Sequence, residues 1–115
     1  MSITIHIHYT GQGGSAREFA REMVGLGVVS RIRAEEGSLG YDYYLPLEDP
    51  ETVLLVDSWK DQGALDAHHA SPMMGEIAAL REKHRLVMRV ERFVSDRDGI
   101  PAPDEGFIVR ERSDN

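Results

Sequence analysis

Few side chains in this sequence can do acid–base or ligand chemistry. Cysteine is absent, which removes disulfides, thiolate metal sites and cysteine nucleophiles. Five histidines remain, and a neutral imidazole can accept a proton near pH 7. His68 shares a helical face with Ala64 and Leu65, so it is expected to point inward, either as a general base or bonded to a loop carbonyl. His69 falls off that stripe and is expected at the surface. His6 and His8 stand two apart on one strand face, a spacing that metal ligands use. No carboxylate or cysteine lies near them in sequence, so no metal is expected, and a place on a cavity wall or a subunit face suits them better. Trp59, the sole tryptophan, ends an apolar run and serves either packing or function. Tyr41 and Tyr43 share one strand face, with Tyr44 opposite, and can pack or line a pocket for an aromatic ligand. Met73, Ile77, Leu80 and His84 repeat at helical spacing. His84 closes that helix, where a cation suits the dipole.

The elements that position these residues read clearly. Residues 3–9 alternate strictly, with Ile3, Ile5, Ile7 and Tyr9 on one face and Thr4, His6 and His8 on the other, which is a half-buried strand. Glycines follow, and Ser15 is the expected N-cap of a helix bearing Phe19, Ala20, Met23 and Val24. Gly25 and Gly27 loosen its end, and Val28, Val29 and Ile32 can extend it. Strands are expected over 39–45, 52–59 and 86–94, the second of these in the middle of the sheet. Asp61 can cap a helix over about 62–69. Ser71-Pro72 opens another, with Ser71 as cap and Pro72 in the first turn. The order β-α-β-β-α-β predicts an α+β, ferredoxin-like antiparallel sheet. Its helices cover one face. Leu54 and Val56 lie on one face of the third strand and Val53, Leu55 and Trp59 on the other. A water-facing antiparallel sheet alternates more cleanly than that, so a homodimer through the open sheet face is expected.

The chain has 115 residues. The first 95 read as one domain. Residues 96–115 are polar and turn-rich around the apolar island Phe107-Ile108-Val109, either a frayed tail or an arm docked on its own or a partner subunit. A net charge of -7 argues against nucleic acid and anionic membranes as partners. No apolar run approaches the roughly 20 residues of a membrane span, and no signal segment is visible, so a cytoplasmic protein is expected. The loop Gly11-Gln12-Gly13-Gly14 lacks the spacing and context of a phosphate cradle. The Glu/Arg faces at 17–22 and 81–85 read as solvated helix surface.

The segment 56–74 places Trp59 at a strand end, an Ala-Leu pair and His68 on a short helix, then Ser71-Pro72. Together with Glu36-Gly37-Ser38-Leu39-Gly40-Tyr41, it resembles the antibiotic biosynthesis monooxygenase family, which includes quinol monooxygenases. The resemblance covers about residues 1–95. It implies a dimeric α+β barrel with a mostly apolar cavity between sheet and helices. It also implies oxidation of a small electron-rich aromatic, quinol- or anthrone-like, by O₂ without a cofactor. Once deprotonated, such a molecule passes an electron to O₂ directly, so the protein must bind a flat apolar substrate, take its proton and stabilise the anion. On this resemblance Trp59 and His68 are the catalytic pair, the indole N–H facing a developing oxyanion. His6, His8, Tyr41, Tyr43, Met73 and Ile77 are the expected substrate contacts.

The chain also departs from the family. Met73 stands where relatives often have a second histidine. The asparagine that some family enzymes use is missing, since the sole asparagine is Asn115. Ile77 and Ala78 stand near the haem ligand of the family's haem-degrading branch. A non-catalytic ligand-binding dimer, and an isomerase or decarboxylase on a similar scaffold, are the alternatives.

Overall fold

The computed structural model describes residues 1–112. Four strands, β1 (Ile3–Thr10), β2 (Ser38–Tyr44), β3 (Thr52–Trp59) and β4 (Val87–Val94), form one sheet in the order β2-β3-β1-β4, every pair antiparallel. Helices α1 (Ser15–Gly25) and α2 (Val28–Arg33) fill the first crossover, and α3 (Gln62–His69) and α4 (Met73–Lys83) the second. This is the α+β ferredoxin-like fold read from the sequence, with β1 and β3 central and β2 and β4 at the edges.

The core lies between the helices and one face of the sheet. Ile3, Ile5 and Tyr9 of β1 and Val53, Leu55 and Trp59 of β3 meet Phe19 and Met23 of α1, Val28, Val29 and Ile32 of α2, and Leu65 and Ile77 of α3 and α4. Val24, expected on the buried stripe of α1, is exposed; Ala16 is buried instead.

Local details depart from expectation at the helix starts and at one join. Gly27 takes a φ of 77°, a left-handed backbone that glycine reaches without cost, and so splits the long first helix into α1 and α2. The N-cap of α1 is Gly14, and the Ser15 hydroxyl accepts from the N–H of Gln12 outside the helix. The Ser71 hydroxyl caps nothing, because Pro72 is the N-cap of α4 and makes no side-chain bond there. Asp61 does cap α3, its Oδ1 accepting from the Ala64 N–H at 2.8 Å. Gly37, at φ 83°, lets the chain pass so close to α3 that a Cβ would fall 2.5 Å from the Cβ of Ala64. That close approach brings the end of α2 against α3, which matters below.

After Val94 the chain forms a short 3₁₀ helix (Ala102–Phe107). Phe107 is 89% exposed, and Val109 is exposed too. The island does not dock in the core of its own subunit. Among the described residues no helix is long and apolar enough to cross a membrane.

Candidate active site

β3 supplies the first group. Its core-facing register runs Val53, Leu55, Asp57, Trp59, so alternation drives a carboxylate into an apolar layer. Asp57 is 4% exposed. Its Oδ2 accepts from the indole Nε1–H of Trp59 at 2.7 Å, and its Oδ1 has no partner among the described residues. Burial raises the Asp57 carboxyl above the usual carboxylate range, opposed by the Trp59 N–H and by the nearby His68 and His69.

The second group comes from α3. His68 is 4% exposed and lies flat on the Trp59 ring, centroids 4.6 Å apart and planes 25° off parallel. Its Nδ1 is 2.9 Å from Oε1 of Glu35, which follows α2. An ionised carboxylate only accepts, so Nδ1 carries the proton and Nε2 is the nitrogen left to act as a base. Tyr41 meets the His68 ring at a steep angle, and Tyr43 meets Tyr41 edge-on. Burial pushes the phenols of both tyrosines above the ordinary range, so they stay neutral. Tyr9 is likewise raised, to about 12, with Arg81 pulling the other way.

These groups border a cavity of about 220 Å³ between the sheet and the second pair of helices. Its walls are Ile5, Ile7, Tyr9, Tyr41 and Leu55 from the sheet, Met74 and Ile77 from α4, and Met88 and Val90 from β4; Asp57, His68, His69 and Arg81 are its ionisable groups. Apolar walls with a few convergent polar groups are what a small-molecule site requires. A larger, shallower groove of about 670 Å³ lies at the other end of the sheet, beside Lys83, His84 and Arg85. Lys83 and His84 there are paired with Glu22.

Of the residues singled out from sequence, Tyr41, His68 and Ile77 line the smaller cavity. Trp59 stands one layer behind, fully buried, and its N–H is engaged by Asp57 rather than directed at a ligand. Tyr43 packs beside Tyr41 and borders a different surface depression. Met73 packs against the core, and the wall position falls to Met74. His6 and His8 project from the opposite face of the sheet, because the alternation that turns Ile5 and Ile7 inward turns them outward. Asn115 lies outside the described residues.

Sequence reasoning missed Asp57, Glu35, Tyr9 and Arg81. Asp57 had a signal: it is the lone charge in the inward register of β3, two residues from Trp59. Glu35 had none, being brought to His68 only by the close passage at Gly37.

The sheet order and the helices on one face, with a cavity between them, define a ferredoxin-like α+β protein. The chain belongs to the antibiotic biosynthesis monooxygenase family, whose model matches residues 2–80. Among solved structures it is similar to a conserved protein from Methanosarcina mazei (25% identity, TM-score 0.72, covering 84% of this chain and 94% of that one). It is also similar to Rv0793 from Mycobacterium tuberculosis (18%, 0.71, 87% and 100%). A third is SnoaB, a cofactor-independent oxygenase from Streptomyces nogalater (14%, 0.69, 84% and 94%). At the lower identities the likeness is one of fold. No curated protein sequence matches the chain significantly.

Proposed function

We propose that this protein is a cofactor-independent monooxygenase that oxidises a small quinol- or phenol-like aromatic with O₂. The observation that carries the reading is the orphan Oδ1 of Asp57, buried in an apolar cavity beside the Glu35-held imidazole of His68. A buried acceptor without a partner costs about 1–3 kcal/mol, and a ligand hydroxyl donating to it recovers that cost. The cavity is smaller than the ~300–1,000 Å³ of drug-sized sites, which favours one or two fused rings over an anthrone.

In this scheme one hydroxyl of the quinol donates to Asp57 Oδ1, and Nε2 of His68 takes the proton of the other. Asp57 stabilises the imidazolium that results, Glu35 holds the ring, and Arg81 offsets the charge of the substrate anion. The anion gives one electron to O₂, the radical pair combines at a C–H ring carbon into a peroxide anion, and the His68 imidazolium returns its proton to make the hydroperoxide. Loss of water then leaves a new carbonyl, with one oxygen atom in the product and the other in water. Trp59 is a positioning residue, packing His68 and orienting Asp57.

The homodimer belongs to the same reading. Tyr44, Val87 and Phe93 are exposed on the open side of the sheet. The radius of gyration is 16.6 Å, above the ~13 Å expected of a compact chain this long. A second copy on that face, with the segment from residue 96 to residue 112 as an arm along it, covers both.

The test is O₂ uptake by the chelator-treated full chain with reduced naphthoquinols, against a heat-killed control for autoxidation. Uptake above the control, lost in His68→Ala, is the expected result. Saturable quenching of Trp59 fluorescence without uptake overturns it in favour of a binding protein, and turnover without O₂ overturns it in favour of an isomerase or decarboxylase.

A further inference from the structure

The open face of the sheet carries a second set of ligating groups, which the cavity chemistry does not use. Alternation along β1 turns His6 and His8 to this face. The antiparallel register sets Glu91 of β4 directly opposite His6 and Arg89 opposite His8, so Glu91 is a diagonal neighbour of His8. The Glu91 side chain reaches across that diagonal, its Oε1 2.8 Å from Nε2 of His8. One ligand atom from each of His6, His8 and Glu91 lies within 4.8 Å of the other two. The carboxylate that the His6/His8 spacing lacks in sequence therefore arrives from the neighbouring strand.

From this geometry we infer that His6, His8 and Glu91 bind a divalent first-row transition ion of the zinc class on the open sheet face. Two imidazoles and one carboxylate select such ions over magnesium or calcium, which prefer all-oxygen shells. Three protein donors leave a coordination position open to water or another ligand. Bonds of ~2.0–2.2 Å set tetrahedral donors about 3.4 Å apart, so the set closes on an ion by side-chain rotation alone. The two strands are already paired and need not move.

The neighbours are compatible with this. Phe93 packs against the His6 ring, centroids 4.7 Å apart, and restricts it. The Arg89 guanidinium is 3.5 Å from Glu91 Oε1, but its side chain is 65% exposed and can turn to water when the ion enters. The His8 and Glu91 side chains are 24% and 40% exposed, which leaves an entry path. The site lies across the sheet from the cavity, so it stands or falls independently of the oxygenase reading. It does share the face assigned above to the homodimer, which places the ion at or near the seam of a paired molecule.

The experiment is a Co²⁺ titration of the metal-stripped full chain, read by its visible absorption bands, followed by displacement with Zn²⁺ and calorimetric stoichiometry. One ion per chain, bound at micromolar or tighter affinity and displaced by Zn²⁺, is the expected result. His8→Gln and Glu91→Gln each remove a direct ligand and weaken Co²⁺ binding by about 100-fold or more, beyond the ~10–100-fold that outlying partners cost. His84→Gln leaves it unchanged. Melting curves and light scattering on the same samples separate loss of a ligand from loss of fold or pairing. Absence of Co²⁺ bands in the folded parent chain overturns the proposal. So does equal affinity in the parent and in folded His8→Gln and Glu91→Gln, or a loss in His84→Gln as large as theirs.

Discussion

The two faces of this one sheet treat a carboxylate in opposite ways. On the helix side Asp57 sits in an apolar layer with one oxygen bonded to an indole N–H and the other unpartnered, and burial raises its carboxyl. On the open side Glu91 is partly exposed, and the hydrogen bond from His8 holds its carboxyl below the usual range. Each carboxylate has an imidazole nearby. What differs is solvent: the helix face withdraws it and leaves an uncompensated acceptor, while the open face supplies it. A group that weakens the fold where it stands is the one expected to do chemistry, and one that water and a neighbour already satisfy is free to serve as a ligand.

The comparison sharpens into measurements. The largest effect is on the helix face: His68→Ala should lower O₂ uptake by about 10²-fold or more, the scale of a lost general base, with melting temperature as the control for folding. Glu35→Gln should cause a smaller loss, seen mainly in kcat and in a displaced pH profile, because it frees the ring without removing it.

Trp59→Phe takes away the indole N–H donor to the Asp57 carboxylate and should cost about 1–3 kcal/mol, measured by urea unfolding. In an Asp57→Asn background the same change should cost less, since the two are coupled.

Asp57→Asn alone should stabilise, by about 1 kcal/mol near neutral pH, while lowering turnover. The sign follows from proton counting. The folded chain holds the Asp57 proton to a higher pH than the unfolded chain does. Stability is therefore lost as pH rises from the ordinary aspartate range through the raised folded value, and stays lower above it. The gap between variant and parent should close in acid. A parent that gains stability on crossing that window would show that Asp57 is satisfied after all.

The smallest effect is on the open face. Glu91→Gln should shift the melting temperature by no more than about 1 °C, as befits an exposed pair.

How much of this was legible in the sequence follows from range. Alternation at 3–9, the apolar run at 52–59 and the stripe Phe19-Ala20-Met23 are local patterns, and they predicted β1, a central β3 and the first helix, while the order of elements predicted the ferredoxin-like fold. The break at Gly27 was half legible, since a glycine marks a possible join but not the φ it adopts. Capping by Ser15 and Ser71 failed because a hydroxyl has several nearby donors or none, and only backbone geometry decides. His68 was legible as inward-facing. Its partner Glu35 is 33 residues away, and Glu91 is 83 residues from His8. No spacing rule spans such separations. Asp57 was legible in principle, from strand register alone.

The outer wall of the cavity, Met88 and Val90, belongs to β4, which has a neighbour on one side only. Edge strands open more readily than central ones, so the chamber is hinged on its least protected rung. Amide protons of β4 should exchange with solvent well before those of β1 and β3, and a guest molecule or a second chain that slows this exchange would also be setting how often the chamber is breached.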